Sequence, residues 1–97
     1  MNTYIILIRY TQQGMQTIKD SPVRLDAARK TFKAMGAELK SWFLLMGQYD
    51  AMVIAEAPDD DTIAKLALAV GALGNVSTQT VRAFTEDEYR KIIAALP

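Results

Sequence analysis

The sequence predicts an α+β fold, a ferredoxin-like βαββαβ sandwich in which two helices cover one face of a four-stranded antiparallel sheet. The first observation behind this is the order of elements, strand, helix, strand, strand, helix, strand and a short terminal helix, within 97 residues. The second is that these elements make two split strand-helix-strand units within about a hundred residues. The hydrophobic fraction of 51% is more than one thin layer needs, which indicates oligomerisation. We treat residues 1–97 as a single domain, with the spatial strand order four, one, three, two.

The first strand and first helix are predicted from residue type. The run from Thr3 to Tyr10 is β-branched and aromatic, which is typical of a strand buried on both faces. Ser21 is expected to cap a helix with Pro22 at its first position, and Gly36 is expected to end that helix in a left-handed conformation.

The other elements follow in the same way. A second strand, a two-residue hairpin and a returning strand are expected over residues 37–57, followed by a helix, a fourth strand and a capping box that opens the last helix. The second strand is predicted from Ala37 to Met46 and the returning strand from Tyr49 to Ala57, with Gly47 and Gln48 as the hairpin. The second helix is predicted to be capped by Asp59 and closed by Gly74. The fourth strand is predicted from Asn75 to Phe84, and the capping box consists of Thr85 and Glu88.

The segment from Thr11 to Ser21 is longer than a connection requires, since two to six residues usually suffice. Met15 and Ile18 are three residues apart, which indicates a single helical turn, and Gly14 would permit a bend. We therefore predict that this segment is a lid over one end of the sheet, with a plain plug as the alternative.

The sheet face that carries no helices is predicted to be apolar. Met52 and Ile54 alternate with the small residues expected under the helices, and the first strand presents apolar side chains to both faces. A second sheet must cover this open face, most simply that of an identical subunit. We expect a homodimer, with a higher oligomer as the alternative.

Several chemistries are missing from the composition. The chain has no cysteine and no histidine, so thiolate nucleophiles, imidazole bases and the usual zinc and haem ligands are absent. The formal net charge is zero, from 11 basic and 11 acidic residues, which argues against nucleic-acid binding. Because histidine and cysteine are missing, we expect no metal and no cofactor. No apolar run approaches membrane length and the start does not resemble a signal peptide, so we expect a cytoplasmic protein.

The predicted site lies at one end of the sheet. The strand order gathers the lid, the hairpin of residues 46–50 and the turn of residues 73–75 there. Lys19 and Arg24 flank the start of the first helix, whose free amides favour an anion. Arg9 and Asp50 are placed to form an ion pair on the open face. The residues predicted to bind a ligand are Arg9, Tyr10, Lys19, Arg24, Trp42, Asp50 and Met52, with Trp42 and Met52 as an apolar wall.

Each of these features has a plainer interpretation. Arg9 and Asp50 would form a salt bridge that fixes the strand register or the dimer contact, and Lys19 and Arg24 would be solvated surface residues. The apolar wall of Trp42 and Met52 would belong to the core or to an interface. Tyr10 and Tyr49 would pack with their hydroxyls satisfied. The run Asp59–Asp61 points in different directions from a helix start, so we expect helix capping and no metal site.

Three stretches together resemble the GYD domain family of the dimeric alpha-beta-barrel superfamily, and the likeness covers Met1 to about Thr85. They are YIILIRYTQQGMQTIKDSPVR, MGQYDAMVIAEAPDD and GALGNVSTQTVRAFT. The resemblance implies a ferredoxin-like subunit that pairs sheet to sheet, and little about activity. Ser77 stands where the resemblance implies an arginine after the Gly74–Asn75 turn, so the resemblance does not support an anion site that uses such an arginine. The family's recurring positions fall on Tyr10, Thr11, Gly14, Lys19, Ser21, Pro22, Gly47, Tyr49, Asp50, Glu56, Ala57, Pro58, Gly74 and Asn75.

Three functions are compatible with this sequence. The first is a small-molecule-binding homodimer whose cavity lies between the open face of the sheet and the lid, in which Arg9, Lys19 and Asp50 orient a polar or anionic group. The second is a cofactor-independent monooxygenase- or isomerase-like enzyme with Asp50 or Tyr49 as the base, although Arg9 beside Asp50 would weaken a carboxylate base. The third is a structural or assembly module without a ligand site.

Overall fold

The chain forms its strands and helices in the predicted order. The structure, a computed structural model, describes residues 1–97. The strands are β1 (Asn2–Tyr10), β2 (Glu38–Leu44), β3 (Ala51–Ala57) and β4 (Val76–Ala83). The helices are α1 (Gln12–Gln16), α2 (Ser21–Ala34), α3 (Asp60–Ala72) and α4 (Glu86–Ala94), and a 3-10 turn spans Ile18–Asp20.

The sheet has the order β2-β3-β1-β4 with every pair antiparallel. This is the predicted order, so the ferredoxin-like fold is confirmed. Ile6 pairs with Val53 and Thr80, and these three side chains therefore share the face toward α2 and α3. Their neighbours along the strands lie on the opposite, open face.

The core lies between the sheet and the two long helices. Its centre is the small-residue face of β3, where Ala51, Ala55 and Ala57 have no exposed surface. Small side chains there allow Phe32 of α2 and Leu66 of α3 to approach the strands closely. Leu66 is completely buried, which contributes about 1.5–3 kcal/mol relative to an exposed side chain.

The prediction of a two-residue hairpin at Gly47 and Gln48 is wrong. β2 stops at residue 44 and β3 begins at residue 51, so residues 45–50 form a longer loop. The loop is closed at its base by the Leu45 amide, which donates to the Asp50 carbonyl at 2.8 Å, while the Asp50 amide donates to the carbonyl of Ile8 at 2.8 Å. The last bond between the two chain segments therefore joins residues 45 and 50, and four residues rather than two lie between them.

The start of α2 also differs from the prediction. Ser21 is the first residue of the helix rather than its cap, and the preceding residue, Asp20, has helical backbone angles and no capping side chain. The 3-10 turn runs directly into α2, since the amide of Ser21 donates to the carbonyl of Ile18. The end of α2 agrees with the prediction, because Gly36 has a φ of 77°.

The caps of the two later helices form as predicted. The Asp59 side chain accepts from the Thr62 amide at 2.9 Å, and Thr85 with Glu88 forms a capping box. The hydrogen bonds from Thr62 hold the pKa of the Asp59 carboxyl below its usual value, and those from Thr85 do the same for the pKa of Glu88. Both carboxylates therefore stabilise their helices in the ionised form.

The terminal helix α4 projects from the rest of the molecule. The whole molecule, including α4, measures 52 × 31 × 18 Å. None of the residues of α4 is buried, and Tyr89, Ile92 and Ile93 remain about half exposed. Its one link to the sheet among the ion pairs joins Glu88 to Arg82 at 3.8 Å. None of the helices combines the length and the apolar character that a membrane crossing requires.

A buried tyrosine fastens α3 to the sheet at the end opposite the lid. Tyr4 is 2% exposed, and its hydroxyl donates to the Asp60 carboxylate at 2.5 Å. Burial raises the pKa of the Tyr4 phenol above its ordinary value of 10.0, and the hydrogen bond to Asp60 adds to this. The contribution of Tyr4 to stability is therefore complete below about pH 10 and lost as the pH rises through the higher folded value.

We predict that Tyr4→Phe lowers the free energy of unfolding by about 1–3 kcal/mol near pH 8, because a buried hydrogen bond to a carboxylate is lost. The difference between wild type and Tyr4→Phe should shrink above about pH 10. Urea unfolding from pH 8 to pH 11 measures both effects. Tyr89→Phe, which alters a 57% exposed ring, is the control and should change stability by less than about 0.5 kcal/mol. A pH-independent difference would contradict the assignment.

Candidate functional site

The first part of the predicted lid, residues 11–17, is fastened to the turn between α3 and β4. The name lid is used below for these residues. The Thr11 hydroxyl donates to the Gly74 carbonyl at 2.6 Å, and the Thr11 amide donates to the Asn75 carbonyl at 3.1 Å. The Gln13 side chain donates to the Leu73 carbonyl at 3.2 Å and to the Asn75 side chain at 3.0 Å. The lid and the α3–β4 turn therefore meet at one end of the sheet, as predicted.

Gly14 is required by a close backbone contact and not by a bend. A Cβ atom on this buried glycine would lie 2.0 Å from the carbonyl oxygen of Asn75. Its φ is not positive, so any residue could adopt its backbone conformation. The expectation that Gly14 permits a bend is therefore wrong, because the constraint is the space between the lid and the turn.

Arg24 of α2 holds the lid from the other side. Its Nη1 donates to both the carbonyl and the hydroxyl of Thr17 at 3.0 Å, and its Nη2 donates to the carbonyl of Gly14 at 3.3 Å. The lid is thus bound to both the start of α2 and the end of α3, which closes this end of the helix face.

A cavity of about 100 Å³ lies between the sheet and the helices, with Tyr10 and Ser21 from the two ends of the lid region in its lining. The prediction that the cavity lies on the open face of the sheet is therefore wrong, because the space is left between the helices and the strands they cover. Thirteen of its sixteen lining residues are hydrophobic, and its floor is the helix face of the four strands. The polar groups of the lining lie toward the lid. The helix-side walls are Leu25, Ala28 and Phe32 from α2 and Leu66, Ala67 and Val70 from α3.

A groove of about 310 Å³ between α2 and α3 adjoins this cavity. The two spaces share four lining residues, namely Arg24, Ala28, Val70 and Val76. The contacts between α2 and α3 are few, because small side chains face each other there. The groove and the cavity therefore meet at Arg24.

The predicted Arg9–Asp50 ion pair does not form. Arg9 donates through Nε to the Gln48 carbonyl at 2.9 Å and lies 4.8 Å from the centre of the Tyr49 ring. The Asp50 carboxylate instead accepts from the Tyr10 amide at 2.9 Å. The prediction fails because Asp50 caps the end of β1 through backbone groups, which leaves Arg9 to stack on the loop tyrosine.

Trp42 and Met52 lie on opposite faces of the sheet, so the prediction that they form one wall is wrong. Trp42 pairs with Val53 and lines the cavity on the helix side, whereas Met52 pairs with Leu7 on the open face. The cause is a register shift between Leu39 and Ser41, since a bulge moves the following side chains to the other face.

The remaining candidates separate into cavity and surface. The Tyr10 ring lines the cavity, and the half-buried Arg24 lines both the cavity and the groove. Lys19 is exposed on the 3-10 turn and forms no ion pair. Tyr49 lies on the open side, where its hydroxyl donates to the Gln79 side chain.

Sequence reasoning missed most of the cavity wall. Ala28, Ala67 and Thr78 line it, yet none carries a chemical signal of its own. The available signal was the alanine at inward positions of both helices opposite an alanine-rich strand, which indicates unfilled space as well as close packing. No group of three or more acidic side chains is placed to hold a metal ion.

Fold and site together define a class of protein, a ferredoxin-like α+β protein with an apolar cavity between its sheet and its helices. The model of the GYD domain family matches residues 4–93. The chain belongs to the GYD domain family, which confirms the resemblance found in the sequence.

A relative in Thermus thermophilus, the glutamine synthetase and cystathionine beta-lyase binding protein, is 29% identical over 84 residues. The match covers 86% of this chain and 88% of the relative. Its name describes a protein that binds two enzymes.

Two solved structures share the fold. One is the feast or famine regulatory protein of M. tuberculosis in complex with L-methionine, with a TM-score of 0.67 and 14% identity over 88% of this chain. This chain spans about half of that regulator, 51% of its length. The other is TTHA0845 of Thermus thermophilus, with a TM-score of 0.56 and 20% identity, covering 88% of this chain and 95% of that one.

We predict that Gly14→Ala detaches the lid from the α3–β4 turn and lowers the free energy of unfolding by about 1–3 kcal/mol, because the added methyl overlaps the Asn75 carbonyl. Urea unfolding measures the loss, and faster hydrogen exchange of the Thr11 amide locates it. Gly71→Ala is the matched control, since a Cβ there meets nothing within 4 Å in a helix that alanine favours. Equal stability of the two variants would show that the contact is unimportant.

Proposed function

We propose that this protein is a small-molecule-binding homodimer whose site is the cavity between the helix face of the sheet and α2 and α3, at the sheet end under the segment 11–21. The observation that carries the proposal is the cavity itself, about 100 Å³ with thirteen hydrophobic residues among sixteen. Ligand sites are typically concave and apolar with a few convergent polar groups. Arg24, Tyr10 and Ser21 supply such groups at the lid end.

The lid supports a binding role because it holds in place groups that border the cavity and the groove, namely Arg24 and the α3–β4 turn, although residues 11–17 do not themselves line either space. Six side-chain hydrogen bonds from Thr11, Gln13 and Arg24 hold residues 11–17 against the α3–β4 turn and α2. A site whose wall is already held in place loses little conformational entropy when a ligand binds. The methionine complex of the feast or famine regulatory protein shows a small molecule bound to a chain that contains this fold, which is an analogy only.

The homodimer is proposed from the open face of the sheet. Ile5, Leu7, Met52 and Ile54 form its centre, and Phe43 and Val81 beside them are 51% and 37% exposed. A contiguous apolar surface of this kind is typical of an interface. Because the face is the same on every copy, two chains related by a two-fold axis can cover it completely.

The cavity predicts how ligands will affect cavity-filling variants. In a thermal-shift screen of metabolites, a compound that binds there should stabilise wild type, by about 2.7 kcal/mol at a hundredfold excess over its Kd. Ala67→Leu should abolish the shift because Ala67 lines the cavity. Ala64→Leu makes the same change at an exposed position of α3 and should retain the shift.

Three outcomes of this screen bear on the alternatives. A compound that stabilises Ala67→Leu as much as wild type would place its site elsewhere and contradict the proposal. Turnover of a compound that disappears in Asp50→Asn would favour the monooxygenase- or isomerase-like enzyme. The absence of any compound that distinguishes the variants would favour an assembly module, which is the role suggested by the name of the Thermus relative and by the exposed apolar side of α4.

The open face predicts a second, independent result. Leu7→Lys should weaken the dimer at least about tenfold, because a charge is placed at the centre of the interface. Val23→Lys, at a position of α2 that is 71% exposed, should leave the dimer intact. Sedimentation velocity at micromolar concentration measures both. A well-folded wild-type monomer would contradict the homodimer.

A further inference from the structure

The charge of Arg24 has no acidic partner in the chain. The five ion pairs involve Arg29, Lys40, Arg82 and Arg90 as the cations, and Arg24 takes part in none of them. Arg24 is half-buried, and its partners are two carbonyl oxygens and one hydroxyl of the lid. A partly desolvated cation without a counter-ion favours the binding of an anion.

The guanidinium of Arg24 retains donors suited to a carboxylate. Of its five N–H groups, two on Nη1 and one on Nη2 are bonded to the lid. The Nε–H and one Nη2–H remain without a partner in the chain. Two such groups of one guanidinium can form parallel, charge-assisted hydrogen bonds to the two oxygens of a carboxylate.

Arg24 is the only charged residue that lines the cavity or the adjoining groove. No aspartate or glutamate lines either space. The other polar groups of the cavity lining are the hydroxyls of Tyr10, Ser21 and Thr78 and the indole N–H of Trp42. An anionic head at Arg24 would therefore meet no carboxylate of the lining, and the rest of the molecule would enter a mainly hydrocarbon environment.

The volume limits the size of the apolar part. A cavity of about 100 Å³ is smaller than an apolar cavity of about 150 Å³ that accepts benzene. In proportion to that case, a branched aliphatic tail of about four or five carbon atoms fits this space. A long fatty acyl chain does not.

We propose that the ligand is a small monocarboxylic acid with a branched aliphatic tail, whose carboxylate binds the Nε and Nη2 edge of Arg24 and whose tail fills the cavity. This assignment rests on the proposed function, since it names the ligand class of that same cavity.

Isocaproate and its neutral amide, isocaproamide, test the assignment by titration calorimetry. Both have the same tail, and only the acid carries the charge that Arg24 recognises. We expect the acid to bind wild type at least about tenfold more tightly than the amide, because charge-assisted bonds are lost in the amide. Ala67→Leu should abolish binding of the acid and Ala64→Leu should not.

A charge-neutralising variant of the same helix completes the test. Arg24→Gln should reduce the affinity for isocaproate to that of the amide, whereas Arg29→Gln, which removes a surface arginine from α2, should leave it unchanged. Thermal unfolding shows whether Arg24→Gln still folds. If that variant does not fold, the comparison of acid with amide on wild type still decides the assignment.

The failures are distinguishable. Equal binding of acid and amide, both lost in Ala67→Leu, would overturn the carboxylate assignment and leave the cavity as the site. Acid binding that survives in Ala67→Leu would overturn the assignment because the acid then binds elsewhere. If neither probe binds but another screened compound is blocked by Ala67→Leu, the ligand class is wrong and the proposed function stands. If no compound at all is blocked, both fail.

Discussion

The register of β1 decides which side chains can meet in this protein. β1 pairs antiparallel with β3 on one side and with β4 on the other, so its alternation of faces is determined from both sides. A slip of one residue would move Ile6 and Ile8 to the open face and bring Ile5 and Leu7 under the helices. The same register places Tyr4 at one end of the helix face and Tyr10 at the other. The anchor of α3 and the wall of the cavity therefore depend on one set of backbone hydrogen bonds.

The cavity follows from how the helices rest on this face. Small residues of β3 let the helices approach closely at the core, yet small residues on α2 and α3 leave space near the lid. A ligand whose tail fills this space would bury its apolar surface against the hydrophobic lining, so binding and stability are linked through the same volume.

Arg24 connects the lid, the cavity and the groove between α2 and α3. It holds residues 14 and 17 of the lid through three hydrogen bonds and also lines both spaces. A ligand bound to the remaining donors of Arg24 would therefore touch the residue that keeps the lid in place. The proposed dimer face lies on the opposite side of the sheet, so the proposals for assembly and for ligand binding concern separate surfaces.

Much of the fold is local information, and the sequence by itself determined it. The order of strands and helices along the chain, the cap at Asp59, the box at Thr85 and Glu88 and the positive φ of Gly36 all follow from residue types within a few positions of one another. The GYD family follows from short stretches in their order along the chain. Only the tertiary structure decided that Trp42 faces the helices, because a bulge in β2 changes the parity of the strand. It also decided that Asp50 binds the backbone of β1, that Gly14 faces a carbonyl and that a cavity remains beside Arg24. These features depend on distances between segments far apart in the chain, which residue type and spacing do not encode.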